Sequence, residues 1–166
     1  MSDQSGQSVA ARLSSAYKQL AESASALEAE SRKFARPIEQ INTVLRKLGL
    51  NLITWHKVTG GEDDYDNFWS RDVGYTKVNG LWSLAIRAAS GNHNRPDDVD
   101  SSVWDFTEAP PSYRIEALPF LPGLLEDLTS NTEKTTAKLR QTTNEAQELA
   151  AALVEAAAEA KPKGKK

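Results

Sequence analysis

The chain has two histidines, the side chain most often used for general acid–base work near neutral pH. His56 follows Trp55 in a run of β-forming residues, and His93 lies in a polar segment. As a general base or a metal ligand, each needs a carboxylate or a second imidazole close in space. Neither has one close in sequence, so two unrelated imidazoles are expected. Glu62, Asp63, Asp64 and Asp66 form an acidic run, and Asp97, Asp98 and Asp100 another. Hard cations are held by oxygen ligands at alternating positions around a glycine turn with a distal glutamate. Both runs lack that spacing, so solvated turns are expected, with a divalent-cation site as the alternative if the two came together.

Trp55, Trp69, Trp82 and Trp104 fall within one 50-residue segment. Such a cluster can stack nucleobases or sugars, or it can fill a core. Core is expected for at least two, with Trp69 and Trp82 turned inward and an exposed tryptophan marking a protein contact. Arg71 and Arg87 could bind an anion or a partner's carboxylate. The expected alternative is a structural ion pair with Asp72, Asp105 or Glu108. Trp55, His56, Arg71, Arg87, His93 and Trp104 are thus the candidate ligand or partner contacts. No catalytic, cofactor or metal motif is present, and no cofactor is expected. Cysteine is absent, which removes disulfide and thiol chemistry.

These side chains need elements to position them. Leu13, Tyr17, Leu20, Ala24, Leu27, Ser31, Phe34, Ile38, Ile41, Leu45 and Leu48 alternate four and three apart. That 3.5-residue period keeps one stripe facing a partner helix. Pro37 predicts a kink or short break, and Gly49 a helix end. Leu121, Leu125, Leu128, Thr132, Thr135, Leu139, Thr142, Ala146, Leu149, Leu153, Ala156 and Ala160 repeat the period with smaller, wetter residues. Two such helices predict an antiparallel coiled-coil hairpin, with Leu48 near Leu121 and Leu13 near Ala156.

Between them the period changes. Strands are expected over 51–58, 68–78 and 81–89, with a short fourth over 103–106 after a polar loop. Asn79-Gly80 between two strand patterns is a hairpin signal, because both turn positions need positive φ. It fixes the register: Lys77 faces Trp82, Tyr75 faces Leu84 and Val73 faces Ile86. Arg71 then shares the inward face and Arg87 the other. A short helix follows the Pro110-Pro111 pair.

The predicted organisation is α+β: a disordered N-terminus (1–7), a heptad helix (8–49), an antiparallel sheet head (50–108), a short and a long helix (109–160) and a basic disordered tail (161–166). The segment 50–110 holds ten acidic and five basic side chains, and the net charge of the chain is −3. An acidic body argues against a duplex-DNA surface and leaves only the lysine tail for nucleic acid. No apolar run predicts a membrane span and no apolar signal core opens the chain, so a cytoplasmic location is expected.

The segment from Trp82 to Arg87, with Trp104-Asp105-Phe106 and Arg114-Ile115-Glu116-Ala117, resembles a pattern found in bacterial proteins without an assigned activity. The order helix, hairpin sheet, helix is similar to that of prefoldin subunits, which implies a chaperone subunit that assembles through its strands and works through coiled-coil tips. The expected function is a non-enzymatic interaction or scaffold protein with a protein partner, self-associating as a homo-oligomer. The alternatives are a small-molecule or nucleotide binder using the aromatic sheet, and a prefoldin-like chaperone subunit.

Overall fold

The computed structural model describes residues 8–160; the expected disordered N-terminus and lysine tail lie outside them. The first helix, α1 (Val9–Lys47), starts at Ser8, whose hydroxyl accepts from the Ala11 N–H. It runs as one unbroken helix through Pro37, where a kink or short break was expected. It ends at Gly49, whose positive φ of 64° lets its N–H return to the Arg46 carbonyl at 3.0 Å.

Four strands follow: β1 (Thr54–Glu62), β2 (Asn67–Val78), β3 (Leu81–Asn92) and β4 (Arg95–Asp105). They form one antiparallel sheet in sequence order. Asn79 and Gly80 take φ of 51° and 83°, and the β2–β3 register is the expected one. The segment 90–102, read as a polar loop, is instead the end of β3, a tight turn and the greater part of β4. In β4, side chains are mostly exposed, as an edge strand allows, and there proline and charge block further pairing. β1 also continues beyond its expected end at 58, through Gly60 and Gly61. These glycines leave room for the Trp69 backbone and ring: a Cβ would lie 2.8 Å from the Trp69 carbonyl at Gly60 and 2.9 Å from the indole nitrogen at Gly61.

The helices α2 (Pro111–Ala117) and α3 (Leu121–Glu159) complete an α+β fold, joined by a 3-10 turn over Leu118–Phe120. Val73, Tyr75, Leu84 and Ile86 form the buried sheet face, as the hairpin register predicts. Ile38 and Leu45 of α1, Leu121, Leu124 and Leu128 of α3, and Phe106 close over it. Trp82 stacks on Tyr75 at 5.5 Å, and Trp104 meets Tyr113 edge-on at 5.9 Å, so both pack against the core.

The docking of α1 on β3 is polar as well as apolar. The Phe106 N–H, just past the end of β4, closes the ladder on the Leu84 carbonyl. The Leu84 N–H then has no strand opposite. The fully buried Asn42 fills that role: its Oδ1 accepts from Leu84 N–H at 2.7 Å. One helical turn on, Arg46 Nε donates to the Trp82 carbonyl at 2.7 Å.

The two long helices cover different strands. Asn42 meets Leu84 and Arg46 meets Trp82, so α1 descends β3. Asp127 meets His56 and Asn131 meets Thr54, so α3 descends β1. β1 and β3 both run antiparallel to β2. The helices therefore cross the sheet in the same sense, and their pairing as an antiparallel coiled-coil hairpin is not seen. They meet where Leu45, Leu48 and Leu50 share an apolar crevice with Leu125, Leu128 and Thr132. Beyond the body both stripes are open. Leu13, Tyr17, Leu20 and Leu27 are 55–72% exposed, and Leu139, Leu149 and Leu153 are 61–72% exposed. No helix among the described residues is long and apolar enough to cross a membrane.

Candidate functional site

The six candidate contacts fall at four separate places. His56 sits on the helix-covered face opposite Val73, at the edge of the sheet. Gly123 of α3 lies over its ring; a Cβ there would be 2.7 Å from the imidazole. The absence of a side chain lets the ring slide under the helix, where Nδ1 meets Asp127 Oδ2 at 2.7 Å and Phe120 lies 6.1 Å away. The carboxylate that the sequence did not reveal is thus supplied from 71 positions away. A carboxylate on one ring nitrogen orients an imidazole for proton transfer at the other. Among the described residues no hydroxyl hydrogen-bonds that other nitrogen, so a nucleophile does not complete the arrangement.

Arg71 and Trp104 come together through Tyr113 of α2. The Arg71 guanidinium lies 4.0 Å from the Tyr113 ring centroid and 5.8 Å from that of Trp69, and it is ion-paired with Glu116. Trp69, Arg71 and Tyr113 wall a crevice of about 260 Å³ with Ser90, Asp100 and Ser102. The structure thus keeps the inward parity predicted for Arg71 and supplies a partner, Glu116, that the sequence did not indicate. Trp69 has the predicted parity but is about half exposed.

On the other face, Trp55 lies across Gly74, where a Cβ would strike its ring and come within 2.7 Å of the Thr54 carbonyl. Arg87 stacks on the Trp55 ring at 4.4 Å and donates to Asp72 from Nε at 3.1 Å and Nη2 at 3.0 Å. That is the expected Asp72 ion pair, with Trp55 as its lid.

His93 stacks on Phe68 at 4.8 Å and meets Glu62 at 3.0 Å, where the β1–β2 and β3–β4 turns touch. Within the acidic run, Asp63 is bonded in its own turn, while Glu62 and Asp66 meet His93 and Asn94 of the facing turn. Asp63 is held below the usual aspartate range, first by the Asn67 side chain and then by the Tyr65 N–H. Among the described residues no three His, Asp or Glu side chains are grouped to hold a metal ion. In the core, the Tyr75 hydroxyl has no partner. Burial pushes its pKa up, and the charge of Arg46 pulls partly the other way.

Compared with protein-family models, with curated proteins and with solved structures, the chain matches none of them.

Proposed function

We propose that the protein is a non-enzymatic interaction module, a sheet-and-helix body that presents two helical arms to a second copy of itself. The observation that carries this reading is the pair of heptad stripes left open beyond the body. An isolated long amphipathic helix in water needs a partner for its apolar side. Charge favours α1 against α3 of another copy, antiparallel. The outer half of α1 carries Arg12 and Lys18 with no acid before Glu22. The last two dozen positions of the chain's described part carry Glu145, Glu148, Glu155 and Glu159 with no base after Arg140. In that register Leu20 meets Leu149, Tyr17 meets Leu153, and Ala24 meets Ala146. Pairing of like arms in parallel sets the four glutamates against themselves.

The lack of native cysteine makes the test direct. Leu20→Cys and Leu149→Cys proteins are mixed and oxidised. Cross-linked dimer in the mixture, with little in either protein alone, supports the reading. Dimer in either protein alone refutes the proposed pairing. A monomer by sedimentation equilibrium at all concentrations removes self-association altogether.

A second reading, a small-molecule or nucleotide binder, is favoured by one observation: Arg71 stacked on Tyr113 beside Trp69 at a crevice wall. A flat tryptophan fluorescence signal across a nucleotide panel removes it. A prefoldin-like role draws on element order alone, and the same-sense helices give it no hairpin tips.

A further inference from the structure

Where α1 passes α2, a groove of about 420 Å³ opens between Leu27, Phe34, Pro111 and Ile115, with Glu30, Ser31 and Lys33 along it and Arg114 among its lining residues. Arg114 is only 7% exposed. Its Nη1 donates to the Thr107 carbonyl at 3.2 Å and its Nη2 to Ser31 Oγ at 3.3 Å, and Phe34 lies 5.9 Å from the guanidinium carbon. Its Nε is buried with no acceptor. Arg46, Arg71 and Arg87 are all more exposed, yet each has a carboxylate partner in Glu39, Glu116 and Asp72. Among the described residues Arg114 has none within 4.0 Å. A buried charge without a counter-ion is expensive, and fixed carbonyl and hydroxyl oxygens offset it only in part.

The groove supplies what such a charge lacks. Its walls are apolar, with Leu27 and Ile115 open to solvent. Its volume lies in the range of about 300–1,000 Å³ usual for small-ligand sites, which pair apolar walls with a few convergent polar groups. We propose that this groove binds a small amphipathic carboxylate, its apolar body along Leu27, Phe34, Pro111 and Ile115 and its head at Arg114 Nη2 and Ser31 Oγ. The ligand neutralises the one buried guanidinium left without a carboxylate among the described residues. The groove is built by one chain at the base of α1, so a monomer can bind the ligand; Leu27 also belongs to the open stripe, and arm pairing competes for it.

The probe is dodecanoate, below its micellar concentration, titrated calorimetrically into the full chain with dodecanol as the neutral comparison. Saturable binding of one dodecanoate per chain, at least about tenfold tighter than dodecanol, is expected from a charge-assisted hydrogen bond. Arg114→Met removes that preference. Because Arg114 also holds Thr107, the variant can fail to fold; Leu27→Asp with Ile115→Asp then decides, since both positions are exposed. This double variant, melting like the parent, loses dodecanoate affinity at least about tenfold. Equal affinity for acid and alcohol, no saturation at one per chain, or unchanged dodecanoate binding in the folded double variant overturns the proposal.

Discussion

Asn42→Leu is the sharpest test of how α1 is fixed to the sheet. Leucine keeps the branching of asparagine and suits the helix and the apolar surroundings, but its methyl cannot approach the Leu84 nitrogen to 2.7 Å, so a repacking cost adds to the lost hydrogen bond. What is lost is the acceptor for the Leu84 N–H, 2.7 Å from Oδ1 in a site closed to water. A buried amide left without an acceptor costs about 1–3 kcal/mol. For a chain of this length, about 2 kcal/mol lowers Tm by roughly 4–8 °C. Urea unfolding followed by tryptophan fluorescence reports the sheet selectively, since all four tryptophans lie in β1 to β4. The midpoint should fall without a change in slope, and the Leu84 amide should exchange faster with deuterium. Arg46→Met, which removes a half-exposed donor from the Trp82 carbonyl, should cost less. Stability of Asn42→Leu within about 0.5 kcal/mol of the parent, the range of ordinary surface changes, would refute the argument that Asn42 completes the ladder.

Three further outcomes follow from close contacts and charge. Gly123→Ala should destabilise the parent by displacing His56 from Asp127, yet stabilise a His56→Ala background by up to about 1 kcal/mol through helix propensity; paired thermal melts check the reversal of sign. Gly74→Ala should cost about 1–3 kcal/mol, as overpacking does, because the new methyl meets the Trp55 ring and the Thr54 carbonyl; urea titration measures it. The Asp63 carboxyl should titrate by NMR with a midpoint below 3.8. Its folded-state pKa is depressed, so its contribution is present above the unfolded value and is lost as pH falls through the folded one. Protection of the Tyr65 and Asn67 amides, measured against the intrinsic exchange rate at each pH, should therefore fall in that acidic window, and a midpoint at or above 3.8 contradicts the turn geometry.

What was legible in the sequence was local. The Asn79-Gly80 turn dictates its own backbone, and the register then carries Val73, Tyr75, Leu84 and Ile86 to one face. The heptads gave the helices and the open stripes. They did not give the partner, because a stripe records only that something apolar lies opposite. Asn42 lies beside the Ile38–Ile41–Leu45 stripe and is buried for a reason held elsewhere, the end of β4. The end of β4 was read as a strand, but its first part, 95–102, was read as a loop because the charge and proline that protect an edge strand also mark loops. The site geometry was least legible. Asp127 reaches His56 and Glu116 reaches Arg71 across 71 and 45 positions, and no spacing rule links them.

The common direction of α1 and α3 bears on what kind of assembly this chain can make. Two arms that fold back on each other leave nothing free. If the proposed pairing holds, arms that cross a sheet in the same sense leave the body at opposite ends, and the contact between unlike arms can be made in two ways. Both contacts made with one copy, across a two-fold axis, use all four arms and close a dimer. Contacts made with two different copies leave an arm free at each end, and the series then lengthens with concentration unless it closes a ring.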